Sequence, residues 1–189
     1  MSVDFDFEVI LRTLKKAAGA LRDAEVPFLL GGGLAAWARG GAKTEHDVDF
    51  FVKPEDAERA QQALVAAGLE AENPPEGWLL KAWDGDVLVD LIFEPRGGPI
   101  DDEWFDRAEE LDVYAVTMPV ASLDDVLVTK LLALTEQNLD YSSVLEMARA
   151  IREQLDWDEV RRRSEESPYG KAFLVLVEEL GVAPASATR

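Results

Sequence analysis

The run Val87-Leu88-Val89-Asp90-Leu91-Ile92-Phe93 is apolar at every position but one. Such a run suits a strand buried on both faces in the middle of a sheet. An unpaired carboxylate there costs several kcal/mol, so Asp90 requires compensation. Two arrangements supply it. Asp90 sits at a strand end beside a lysine, or it joins other carboxylates around a cation.

The segment Asp47-Val48-Asp49-Phe50-Phe51-Val52, bounded by Pro54, offers the second possibility. Its β-branched and aromatic content predicts a strand. Side chains alternate along a strand, so Asp47 and Asp49 share one face about 6 to 7 Å apart, with Val48 and Phe50 on the other. Two neighbouring anions repel, and a divalent metal removes that cost by binding both. An Asp-x-Asp pair alone fits a solvated surface strand better than a metal site. Asp90 shifts the balance toward a three-carboxylate metal site.

Around these acids the order of elements is α/β first and helical afterwards. Apolar residues at helical spacing predict a helix over 5–24, and Val26 to Leu30 reads as a strand ending at Gly31-Gly32-Gly33, followed by a helix from Leu34 to Ala38. A helix is expected over 56–68. Trp78 to Trp83 and Val87 to Phe93 pair through Asp84-Gly85-Asp86, which suits a tight hairpin. Leu111 to Met118 reads as one further strand, closing a mixed sheet. Helices follow over 123–136, 142–154, 156–164 and 169–180. The division expected is an α/β core over 1–119 and a helical subdomain over 120–189.

Several other residues are candidates. The glycine triplet stands at a strand-to-helix junction, where backbone N–H groups can hold phosphate and the absence of side chains permits close approach. In the segment after Ser122, Leu123, Val126, Leu127, Leu131 and Leu134 form a helical stripe, and Lys130 falls in its middle. A lysine on that face either snorkels to solvent or meets an anion in a cleft. Ser122 and Asp125 resemble a capping pair. Asp140 either assists in the cleft or caps the helix that begins near Ser142. His46 is the only histidine, so no zinc cluster can form around it, and a structural or supporting role beside Asp47 is expected. The five tryptophans read as packing and rim residues.

Charge limits the partners. With 19 basic and 38 acidic residues the net charge is −19, which repels polyanions at long range. The basic clusters, Arg12 with Lys15 and Lys16 and then Arg161-Arg162-Arg163, read as solvated helix faces. There is no cysteine, which fits a reducing compartment, and neither a leader-like N-terminus nor a long apolar run appears. A cytoplasmic location without membrane contact is expected.

The ordered combination of a strand running into Gly32-Gly33, a helix, Asp47-Val48-Asp49 on the next strand and Asp90 in Val89-Asp90-Leu91-Ile92 resembles the nucleotidyltransferase fold of DNA polymerase beta-like enzymes. More closely, Gly31 to Val52 and the Lys130 segment resemble small stand-alone bacterial members that include AbiEii-like and MenT-like toxins. The resemblance covers roughly residues 26 to 150. It implies an α+β nucleotidyltransferase fold with a mixed sheet and a C-terminal helical region. The implied activity is transfer of a nucleoside monophosphate from an NTP to an acceptor hydroxyl with release of pyrophosphate. By the same resemblance Asp47, Asp49 and Asp90 hold Mg²⁺ (or Mn²⁺), Asp90 helps activate the acceptor, and Gly32, Gly33, Lys43, Lys130 and Asp140 bind the nucleotide. Lys43 stands where relatives often carry arginine, and Gln137 and Asn138 stand where a basic residue is usual. Toxin-like members imply the 3′ end of tRNA as acceptor and an antitoxin as partner. A small-molecule acceptor such as an aminoglycoside, and a catalytically silent nucleotide-binding module, are the alternatives.

Overall fold

The computed structural model describes residues 3–43 and 47–185, with side chains from Phe7 onward. Helix α1, Val3–Asp23, buries Ile10, Leu14, Ala17 and Leu21, the stripe expected from its spacing. It leads to the short strand β1, Leu29–Leu30, and to α2, Gly32–Trp37. Gly32 and Gly33 therefore form the first turn of α2 instead of a loop ahead of it. Strand β2 is Asp47–Phe51, and α3 is Ala57–Ala66.

The strands β3, Glu70–Glu72, β4, Leu79–Asp84, and β5, Val87–Ile92, follow. The β4–β5 hairpin closes through Gly85 and Asp86, with Gly85 at φ 62°. Helix α4, Asp102–Asp106, precedes β6, Glu109–Val113, and β7, Val116–Val120. The sheet order is β3-β4-β5-β2-β1-β7-β6. It is mixed: β2 runs parallel to β5 and β1 parallel to β7, while the other neighbours are antiparallel.

One expectation fails here. Leu111 to Met118 is not a single strand but a hairpin, β6 and β7, turning through Tyr114 and Ala115 at φ 49° and 60°. The turn carries neither Gly nor Asn, so its sequence gives no warning. Strand β3, an exposed Glu-Ala-Glu on the sheet edge, also lacks any apolar pattern.

The second half of the chain gathers around α5, Leu123–Ala133, which packs on α2, on α6 (Tyr141–Ile151), on α7 (Trp157–Ser164) and on α8 (Pro168–Glu179). One apolar core runs from Phe7 in α1 through β2 and β5 to Phe173 and Val177 in α8. Within it Asp125 is fully buried. Its carboxylate accepts from Arg107 at 3.1 and 3.0 Å and from Ser122 at 2.7 Å, and forms an ion pair with Arg163 at 2.7 Å, so every oxygen is satisfied. Ser122 also accepts from the Asp125 backbone N–H at 3.1 Å, as the capping pair predicts. Arg161 likewise turns inward, to Glu178 at 3.0 Å. Of the arginine triplet, only Arg162 matches the solvated face expected of it. No helix among the described residues is long and apolar enough to cross a membrane.

The Tyr114–Ala115 turn yields a stability test. A left-handed conformation costs a non-glycine residue roughly 1 to 2 kcal/mol, of which the entropy of a glycine returns part. Ala115→Gly is expected to raise the unfolding free energy by about 0.5 to 1 kcal/mol in urea denaturation. A drop in stability contradicts the turn.

Candidate active site

Parallel pairing of β2 with β5 sets Asp47 against Leu88, Val48 against Val89 and Asp49 against Asp90. Since Asp49 and Asp90 occupy the same register, their side chains leave the sheet on one face. Val48 and Phe50 are fully buried on the opposite face, as the alternation requires. One oxygen from each of Asp47, Asp49 and Asp90 lies within 4.8 Å of the others. The three sequence candidates therefore meet.

Asp90 is 9% exposed, lies within β5 instead of at its end, and has a lysine partner in addition to the two neighbouring carboxylates. Lys81 faces it across the β4–β5 ladder, and its Nζ donates to Asp90 Oδ1 at 3.0 Å. Sequence reasoning missed Lys81, although a signal existed. With Gly85 and Asp86 as the two loop residues, antiparallel counting back from the Asp84–Val87 pair puts Lys81 opposite Asp90.

Two of the glycines also hold the carboxylates in place. The Gly31 N–H donates to the Asp49 carbonyl at 2.8 Å, which ties the start of α2 to β2. Gly32 has φ 54°, and a Cβ placed on it meets Asp49 Oδ2 at 1.6 Å. No other residue fits there without moving the carboxylate. Gly32 thus makes room for Asp49, and its bare backbone forms part of the cleft wall.

Electrostatics follow from this crowding. Burial pushes the Asp49 carboxyl up from 3.8 to about 7; Asp47 and Asp90 push the same way, while Lys130 and Lys81 oppose them. Asp90 is raised too, chiefly by burial, with the Lys81 hydrogen bond pulling it back. Three hard oxygen donors with this excess of negative charge fit a divalent cation of the Mg²⁺ or Mn²⁺ kind.

The cleft beside the carboxylates encloses about 750 Å³. Gly32, Asp49 and Asp90 form its floor, Thr129 and Lys130 of α5 one wall, and the loops carrying Trp78 and Arg96 its rim. Lys130 accordingly reaches the cleft. Gly33 lies in the first turn of α2 but off the cleft wall. Lys43 also lies off it, with Nζ 5.2 Å from the centroid of the Phe7 ring. Asp140 is the N-cap of α6, accepting from Ser142 N–H at 2.8 Å, and does not border the cleft. His46 falls outside the described residues.

The model of a family described as "Uncharacterised nucleotidyltransferase" matches residues 7–178. No curated protein matches the chain. Among solved structures, the antibiotic-resistance factor ANT(2'')-Ia in solution is similar with a TM-score of 0.63 at 15% identity, over 90% of this chain and 96% of that one. Its crystal structure with adenylyl-2''-tobramycin gives 0.62 at 15%, over 88% and 97%. The lincosamide antibiotic adenylyltransferase LnuA, lincomycin-bound, gives 0.51 at 16%, over 72% and 92%. At these identities the likeness concerns the fold.

The shifted carboxyl of Asp49 makes stability depend on pH. Between 3.8 and about 7 the metal-free folded state keeps a proton that the unfolded chain has lost. Stability from this group is therefore complete below the lower value and lost as pH rises through the upper one. In EDTA, the melting temperature of the wild type should fall across that window relative to Asp49→Asn, and Mg²⁺ should stabilise progressively more as pH rises. Parallel pH profiles for the two proteins contradict the shift. Gly32→Ala should leave a folded protein, weakened by about 1 to 3 kcal/mol, that has lost its Mg²⁺-induced rise in melting temperature; a retained rise contradicts the Gly32–Asp49 contact.

Proposed function

This chain belongs to that family of nucleotidyltransferases, and we propose that it moves a nucleoside monophosphate from an NTP to a hydroxyl of a small, cationic acceptor. The observation that carries this reading is the in-register Asp49–Asp90 pair, joined by Asp47 and facing Lys130 across one cleft.

In this reading Asp47, Asp49 and Asp90 hold Mg²⁺ or Mn²⁺. The ion, when bound, supplies charge neutralisation to the triphosphate and the departing pyrophosphate. The remaining work belongs to side chains. Lys130 meets phosphate oxygens from the α5 wall, and Gly32 offers no side chain to obstruct them. Asp90, made more basic by its burial, takes the proton of the acceptor hydroxyl as that oxygen bonds to the α-phosphorus and the bond to the bridging oxygen breaks. Lys81 fixes the orientation of Asp90 during this transfer.

Charge supports a cationic acceptor. The rim places exposed Glu76 and Glu94 beside Trp78, which is 39% exposed, against the cation Arg96, and the whole chain carries −19. A cation is attracted to such an opening and can stack on the indole. A tRNA acceptor, with a toxin role and an antitoxin partner, rests on the sequence resemblance alone. Arg161 and Arg163 are turned into ion pairs, Arg162 is paired with Glu159, and Lys16 with Asp84, so these clusters provide little positive surface for a polyanion.

The test supplies Mg²⁺ and each α-labelled NTP to the purified protein. Hydroxylated amines, including aminoglycosides, form one arm and total tRNA the other, with Asp49→Asn as control. Label on an amine that falls at least a hundredfold in the control is the expected result. Label on tRNA instead overturns the small acceptor in favour of the RNA-modifying reading. Failure of Asp49→Asn to reduce transfer overturns the site.

A further inference from the structure

We propose that Arg96 is a second cation for the phosphates of the donor nucleotide, held for that purpose by a turn built on the cleft rim. The proposal rests on the nucleotidyl-transfer reading of the same cleft and adds to it a residue with no role so far.

Three observations converge. First, Pro95-Arg96-Gly97-Gly98 is a closed turn: the Gly98 N–H donates to the Pro95 carbonyl at 3.2 Å, and the Ile100 N–H returns to the Phe93 carbonyl at 2.9 Å. Arg96 stands at its tip, between buried Pro95 and Gly97. Second, the position after Arg96 must be glycine. Gly97 has φ 109°, and a Cβ there comes within 2.9 Å of Leu132 Cδ1. Leu132 belongs to α5, two residues beyond Lys130, so the turn is seated against the helix that supplies the other cation.

Third, Arg96 is uncommitted. Among the described residues it makes no hydrogen bond or ion pair, although Glu76 and Glu94 border the same cleft. The other cations near the site are engaged. Lys81 is bound to Asp90, Lys53 to Asp102, and Arg107 and Arg163 to Asp125. Along the cleft wall the basic side chains are Lys130 and Arg96. A triphosphate brings about four negative charges into a protein that already carries −19. One metal site and one lysine leave part of that charge without a partner, and a guanidinium matches phosphate oxygens in bidentate fashion.

The experiment measures binding before chemistry. Wild type, Asp49→Asn, Arg96→Gln and Arg96→Lys are titrated with Mg²⁺-ATP, the other three NTPs and Mg²⁺-pyrophosphate by calorimetry, and kcat and KM are then measured on the acceptor that is labelled. Arg96 is exposed, so both of its variants should melt like the wild type. Arg96→Gln should weaken NTP and pyrophosphate binding roughly 10- to 100-fold and raise KM for NTP to match, with kcat changed only a few-fold. Arg96→Lys should recover part of the loss. Unaltered nucleotide and pyrophosphate affinity in Arg96→Gln overturns the proposal, as does an effect confined to KM for the acceptor. If the wild type itself binds no nucleotide with Mg²⁺, or Asp49→Asn binds as well as the wild type, the reading of the cleft fails first, and the proposal with it.

Discussion

The structure depends on keeping three carboxylates together that repel one another. Asp47, Asp49 and Asp90 bring an oxygen each within 4.8 Å, and Asp49 resists ionisation up to about 7. Nothing local favours this arrangement without a cation. It is imposed from behind by the strands. Val48, Phe50, Val89 and Leu91 are fully buried on the far side of β2 and β5, so neither strand can rotate or slip a residue to relieve the front. Lys81 offsets part of the charge from the neighbouring strand, and Lys130 part from across the cleft. The site is thus a strained electrostatic arrangement held by an unstrained hydrophobic one.

The helical half contributes by holding α5. Asp125, near the start of that helix, is gripped by Arg107 from the end of α4 and by Arg163 from α7. Trp104 lies against both guanidinium groups, at 5.9 and 6.0 Å, and meets Phe51 of β2 edge-on at 5.0 Å. Removing one partner of a buried charge cluster of this kind costs several kcal/mol, so α5 is fixed to the sheet by more than apolar packing. Five residues further along, Lys130 enters the cleft, and Leu132 supports the Arg96 turn. The apolar core and the ion cluster together decide where the two cations stand.

What was legible in the sequence was what strand periodicity and charge can express. Asp47, Asp49 and Asp90 stood out because each breaks or borders an apolar run, and period-two alternation put two of them on one face. Lys130 stood out because a helical stripe surrounds it. Lys81 and Arg96 broke no pattern. Lys81 becomes visible only when hairpin register is counted, and Arg96 only when the turn around it is seen to rest on α5. The β6–β7 hairpin was hidden because Tyr114 and Ala115 adopt left-handed angles without the glycine or asparagine that marks such turns. Asp125 read as half of a capping pair, which it is, while its two arginines come from sequence positions 18 residues before it and 38 after. No local rule reaches that far.

A chain with a net charge of −19 that handles a nucleotide must separate the field at long range from the field inside its cleft. At a distance the acidic surface repels anions, but salt confines that effect to about 8 to 10 Å. Within the cleft the walls exclude part of the water, so each fixed cation there acts on a bound phosphate more strongly than a distant surface acid does. The rim keeps its own acids, Glu76 and Glu94, beside Trp78. In the proposed reading this division gives the two substrates opposite requirements: the donor is met by the metal, Lys130 and Arg96, and a cationic acceptor is drawn to the acids of the opening. On that reading the same −19 that argues against a polyanionic partner favours a positively charged acceptor.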